Sequence, residues 1–475
     1  MVFYILFYLC FLISYQQEIP YLIKILNNNS SSPCFYVNAS FNKDNSIILP
    51  LKIELNSQTT SIFCEQLPQF EENRAITCLD NLCYRLFYDE EKCYESLENK
   101  CSFISLYKYD FDNNKYNSGI YIQHYFNLFI NEKNAIIKNN ILPIGCIEQN
   151  FNSINENINS GILSLGGEIY SFLPHFYKEN GYKEYNNYFS ICLDPEEGGY
   201  LTMGNLTDQY HLNNDLPINF KYDIKNSYYI FKINNMFFNH DNFNKEEYNA
   251  IFNMDIEYTY VNRNIINDLY NLFKKYLTTN LLKKYQLDMT INNKNINLDL
   301  YGICFINNNI NDIQFKEKLF TIFPPLFFGI GNKYYKWNSE YYLYKNNNNK
   351  EEYCVGLLSD EKRNKSEEII ELGLNFMYGH ELIFNFKKKE ILVYESNCSM
   401  KQKKKIDIKL ESKYDKINGY LKYIIIILVI LVIFLVFIIC RITKRKTNLC
   451  SKCFGKKVTN EEINLFFNSN YNVIK

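Results

Sequence analysis

The chain has 475 residues, a formal net charge of −1 and 47% apolar residues, enough for one large bilobal domain or two to three lobes. The near-neutral balance excludes the global basic field of a nucleic-acid binder, and the apolar content excludes a mainly disordered chain. Tyr (42) and Phe (37) are abundant against a single Trp, and Asn runs such as 346–349 read as polar loops between folded segments.

Met1 to Ser14 is an apolar stretch followed by Gln16, Gln17 and Glu18. It is short for a membrane span and reads as a signal peptide over residues 1–15, with an uncleaved anchor as the alternative. Residues 16–33 read as a polar leader. The body then shows short strand-like runs bounded by turn signals, among them Ile47 to Leu51, Tyr121 to Ile130 and Tyr228 to Ile233. The clearest helical pattern is Ile265 to Tyr276. The class is mostly β with scattered short helices.

Within this body, Ala250 to Val261 runs from an apolar lead-in through a polar break at Asn253-Met254-Asp255 to a return strand, Tyr258 to Val261. Such a strand, tight break and strand deliver a side chain into a cleft. Residues 401–419 are charged and read as a stalk. Tyr423 to Cys440 is apolar without a charge, and Arg441, Lys444, Arg445 and Lys446 follow. Residues 420–440 therefore read as a transmembrane helix, residues 441–475 as a cytosolic basic tail, and the body as luminal or extracellular.

Of 15 Cys, Cys10 lies in the signal, Cys440 in the span, and Cys450 and Cys453 in the tail. Those from Cys34 to Cys398 are disulfide candidates in an oxidising compartment. Their number is odd, and Cys146 is the candidate for the unpaired thiol. The lone CxxC at Cys450 and Cys453 lacks two further zinc ligands and reads as free thiols. There is no Walker loop, dinucleotide fingerprint, GxSxG or HExxH, so no cofactor and no metal is expected.

Several segments resemble pepsin-like aspartic proteases (peptidase A1). Gly161-Ile-Leu-Ser-Leu-Gly166 is similar to the family's GILGLG. Phe189 to Leu193 with Glu196 to Gly204 is similar to its FSxxL and EEGGxLxFG hairpin. Leu372-Gly373, Phe376, Leu382-Ile-Phe384 and Glu395-Ser-Asn-Cys398 resemble its closing motifs. The Cys-rich block from Cys64 to Cys101, Phe323-Pro324, Trp337 and Tyr341-Tyr342-Leu343, and the membrane segment resemble the plasmepsin branch most. The resemblance implies two β lobes around a central peptide-binding cleft, an N-terminal lobe over 34–185 with a Cys-rich insertion and a C-terminal lobe over 186–400. It also implies the disulfides Cys192–Cys398 and Cys304–Cys354, and a type I membrane protein of the secretory pathway, in the endoplasmic reticulum membrane or at the cell surface.

The family's chemistry needs two carboxylates about 3 Å apart sharing one proton. The resemblance puts Glu54 on the first aspartate, with Leu55, Asn56 and Ser57 on the Thr-Gly-Ser that follows it. Glu is one methylene longer than Asp, and Ser57 is the expected supporting hydroxyl. Asn253 falls on the second aspartate, with Met254, Asp255 and Ile256 after it. An amide donates and accepts hydrogen bonds but exchanges no proton at working pH. Asp255 is the alternative carboxylate. Tyr107 falls on the flap tyrosine, with Asp110 and Phe111 replacing the usual Gly-Ser. The expectation is a protease homologue that binds peptide or polypeptide without cutting it; the alternative is an aspartic endopeptidase with an atypical dyad using Glu54.

Overall fold

In the computed structural model, the described residues are 21–28, 34–41, 48–57, 59–64, 102–106, 116–131, 134–135, 140–150, 161–167, 172–179, 188–204, 211–212, 217–225, 228–276, 287–292, 300–307, 319–320, 322–331, 333–345, 352–360, 369–399, 434, 435, 438 and 441. Residues 1–400 and 401–475 form two compact units. Among the described residues no helix is long and apolar enough to cross a membrane. The expected signal peptide and stalk, the tail apart from Arg441, and most of the expected span lie outside the described residues.

The first unit is built on two-residue alternation. In Cys34–Ser40, Phe35, Val37 and Ala39 turn into the core while Cys34, Tyr36 and Asn38 stay half-buried. In Ile48–Glu54, Leu51 and Ile53 turn inward, so Lys52 and Glu54 share the opposite face. The described strands form one sheet of fourteen and another of thirteen.

A parallel pair lies at the centre of each sheet. Ile48–Glu54 runs beside Gly161–Ser164, with Lys52 opposite Ile162 and Glu54 opposite Ser164. Tyr248–Phe252 runs beside Ile369–Leu372, with Asn249 opposite Ile369 and Phe252 opposite Leu372. Just past this second register, the Asn253 N–H donates to the Leu372 carbonyl at 2.9 Å. Glu54 thus ends its strand opposite Ser164, and Asn253 is the residue that follows its own strand.

The first sheet continues across both expected lobes. The hairpin Tyr188–Asp194 with Gly198–Met203 pairs on one side with His380–Asn385, which in turn pairs with Glu390–Glu395. The start of its return strand depends on glycine: Gly199 has φ +129°, and a Cβ there would overlap the Cys192 carbonyl oxygen. On the other side lies Tyr21–Asn28, with Tyr21 opposite Met203 and Ile25 opposite Gly199. This corrects the reading of residues 16–33 as a polar leader. Ile23 and Ile25 are buried around an exposed Lys24, a strand pattern that the neighbouring Asn and Ser residues mask.

Arg263–Tyr276 is the helix expected from 265. It starts earlier because the Asn262 side chain accepts the Ile265 N–H at 3.1 Å and caps it. Ile265, Ile266, Leu269 and Phe273 form its buried face. The aromatic surplus of the sequence goes into the core: Phe189 stacks on Phe384 with centroids 4.5 Å apart, and Phe231 lies 5.0 Å from Phe252. Each such ring contributes roughly 2–3 kcal/mol by leaving water.

Three disulfides join described residues. Cys192–Cys398 ties a central strand to the segment after Glu390–Glu395, and Cys304–Cys354 bridges facing residues of two antiparallel strands. The third, Cys64–Cys146, corrects the expectation that Cys146 is unpaired. Ser61–Phe63 runs parallel to Gly145–Ile147, which carries Cys64 to Cys146. Among the described residues the free cysteine is Cys34.

Candidate functional site

The ends of the two parallel pairs meet. The Asn56 amide donates across to the Phe252 carbonyl at 2.8 Å, joining the loop after Glu54 to the strand before Asn253. Glu54 is 5% exposed. Its backbone carbonyl accepts the Leu165 N–H at 2.8 Å, so the residue that closes its strand is fixed from the Gly161–Gly166 segment.

Lys52 forms the centre of the cluster. Its ammonium stands 3.2 Å from Glu54 Oε1 and also donates to Asp255 Oδ1, in a contact spanning 203 positions of sequence. One cation thus holds a carboxylate from each loop. Lys52 and Asp255 keep side-chain exposures of 24% and 36%, so the cluster opens to solvent on the side away from Glu54. Burial and then the Asp255 carboxylate push Glu54 up to about 7, against the pull of Lys52. Burial alone would lower the Lys52 ammonium, but Asp255 and Glu54 hold it well above its usual range. Cys34 lies beside these charges, and burial pushes its thiol up to about 11, so it stays protonated at neutral pH.

Asn253 is buried, and its amide is committed at both ends. Nδ2 donates to Glu371 Oε2 at 3.0 Å and Oδ1 accepts the Asp255 N–H at 3.0 Å, while its own backbone N–H reaches the Leu372 carbonyl at 2.9 Å. An ionised aspartate there would offer no proton to Glu371. Leu55 and Met254, the residues after Glu54 and Asn253, are both buried apolar side chains.

Of the sequence-predicted residues, the structure brings Glu54 and Asp255 to one cation and places Asn253 in the backbone turn that carries Asp255. The Ser57 hydroxyl, expected to support Glu54, instead donates to the Thr59 carbonyl at 3.1 Å, and the Ser57 carbonyl accepts from Ser164 Oγ at 2.6 Å. That hydroxyl braces its own loop, and the partner of Glu54 is Lys52. Tyr107 lies outside the described residues.

Sequence reasoning gave no role to Lys52 or Glu371. The i, i+2 spacing of Lys52 and Glu54 in a strand was the available signal for the first. A carboxylate inside the apolar run Ile369–Leu372 was the signal for the second.

A two-carboxylate mechanism works because one carboxylate is protonated and its neighbour is not, with water activated between them. Here the Lys52 ammonium stands between Glu54 and Asp255, and the neighbouring Asn253 is an amide bonded to Glu371. The arrangement places an ammonium, and not only a shared proton, between the two acidic side chains.

Comparison with known proteins agrees with this architecture. The family model for xylanase inhibitor N-terminal domains matches residues 35–205, and that for eukaryotic aspartyl protease matches residues 145–395. Among solved structures, basic 7S globulin from soybean superposes with a TM-score of 0.57 at 14% identity, covering 80% of this chain and 95% of that one. Conglutin gamma, a basic 7S globulin from lupine seeds, gives 0.58 at 14% identity with the same coverage. The aspartic proteinase from Irpex lacteus gives 0.51 at 11%, covering 80% and 98%.

The chain is also 28% identical over 256 residues to the small ribosomal subunit protein uS3m of Cyberlindnera mrakii, over 53% of this chain and 56% of that protein. It spans little more than half the length of that relative, and the likeness carries no functional weight. The solved structures share the mostly β pepsin-like fold, and the aspartyl protease model covers more than half of the sequence: the chain belongs to the eukaryotic aspartyl protease family.

Proposed function

We propose that this chain is a membrane-anchored member of its family, nearest in kind to the plasmepsin branch, that binds an extended polypeptide in its cleft without cleaving it. The observation that carries the reading is the committed Asn253 amide, held between Glu371 and the Asp255 N–H. The Lys52 bridge supports it by keeping the carboxylates of both loops paired. Losing the proton chemistry leaves the lobes and their capacity for extended-peptide binding in place. The fold itself is compatible with more than one role, since it is shared by seed globulins and by an aspartic proteinase.

The apolar run Tyr423 to Cys440 with its basic flank supports an anchor with the body in the lumen, and the three disulfides support an oxidising compartment. The endoplasmic reticulum membrane is the proposed site, with the cell surface as the other destination.

A second reading is an endopeptidase using Glu54 with Asp255. The observation favouring it is that Glu54, raised to about 7 beside Asp255, holds a proton at mildly acid pH. Incubating the purified full-length chain with a peptide library from pH 4 to pH 7 separates the two. Binding without new fragments is the expected result. Pepstatin-sensitive cleavage lost in Glu54→Ala and in Asp255→Ala overturns the proposal in favour of the second reading.

A further inference from the structure

We propose that Lys52 is a ligand-binding residue of this site, its ammonium donating to a backbone carbonyl of the bound polypeptide. The inference rests on the peptide-binding reading above and names the group that makes the contact.

An ammonium has three N–H donors. Glu54 Oε1 and Asp255 Oδ1 account for two of them. The side chains of Lys52 and its partner Asp255 keep 24% and 36% of their surface in solvent, so this ion pair lies on the accessible side of the cluster. What the third donor binds follows from the surrounding charge. A ligand cation meets an ammonium already seated between the carboxylates. A ligand anion meets Glu54 and Asp255, with Glu371 behind Asn253. A neutral acceptor, the peptide carbonyl, suits a donor flanked by negative groups, and a hydrogen bond from a charged donor is about twice as strong as a neutral one. The two carboxylates fix the direction of the ammonium, so little side-chain freedom remains to be lost on binding. In this arrangement Lys52 holds the ligand where a catalytic pair would attack it.

The test measures binding of fluorescein-labelled, reduced and carboxymethylated α-lactalbumin, an unfolded polypeptide, to the full-length chain in detergent by anisotropy. Lys52→Met is expected to weaken binding at least tenfold, and Lys52→Arg to stay within about threefold of the parent. If Lys52→Met does not fold, the triple variant Lys52→Met/Glu54→Gln/Asp255→Asn, which leaves neither former partner of Lys52 charged, takes its place with the same expected loss. Parent-like binding in a folded Lys52→Met or triple variant overturns the role of Lys52 while the peptide-binding reading stands. A parent chain that fails to bind the probe overturns both. Equal weakening in Lys52→Met and Lys52→Arg also overturns it, because packing of the stem and not the donor would then be responsible.

Discussion

At the scale of single residues, Asn253→Asp is the natural attempt to restore a carboxylate pair. It replaces the donor that reaches Glu371 at 3.0 Å with a second buried carboxylate. We expect no gain of proteolysis and a loss of about 2–4 kcal/mol of stability, because two buried carboxylates then share one hydrogen-bond position. Urea unfolding of the variant beside the parent measures the loss, and an unchanged midpoint contradicts the account.

Glu54 gives a second prediction. In the folded chain it keeps its proton up to about 7, against 4.5 as its ordinary value. Between these values the folded state binds more protons than the unfolded state, so this residue makes stability fall as pH rises. Glu54→Gln has no proton to release. Its stability relative to the parent is expected to improve by on the order of 1–3 kcal/mol between about pH 4.5 and about pH 7.5. His380 contributes the opposite slope. Burial lowers it to about 4, so its contribution is present above 6.5 and is lost as pH falls. That slope is common to parent and variant and cancels in their difference.

At the scale of elements, the disulfide Cys304–Cys354 closes a loop of 50 residues between strands that face each other at those positions. Cys304→Ala/Cys354→Ala is expected to cost about 2–5 kcal/mol, read as a lower thermal midpoint under oxidising conditions. A midpoint equal to that of the parent contradicts the bridge as a stabilising element.

The elements were legible where local pattern decides them. The helix followed from apolar spacing, and the hairpin from an acidic Gly-Gly turn between apolar runs. Tyr21–Asn28 was missed because Asn and Ser dominate its surroundings, while its strand pairing comes from Gly198–Met203, far along the chain. Cys146 was misassigned because only the parallel pairing of Ser61–Phe63 with Gly145–Ile147 brings Cys64 to it.

At the scale of the whole molecule, the mostly β pepsin-like fold was readable because its signatures recur in order: Gly161 to Gly166, Phe189 to Gly204, and Leu372 to Cys398. Glu54 and Asn253 were singled out by their place relative to those signatures. The Lys52 bridge was not, because it joins residues 203 positions apart and depends on how the two loops meet. Ser57 was assigned a supporting role by analogy, yet its hydroxyl turns to its own loop.

The central claim is binding without cleavage, and one sample tests it. The purified full-length chain is mixed with an unfolded polypeptide from pH 4 to pH 7, the bound fraction is followed by anisotropy, and the polypeptide's intact mass is recorded over many hours. The account predicts saturable binding with the mass unchanged throughout. Fragments that accumulate with the parent chain, and are absent with Glu54→Ala, would contradict it.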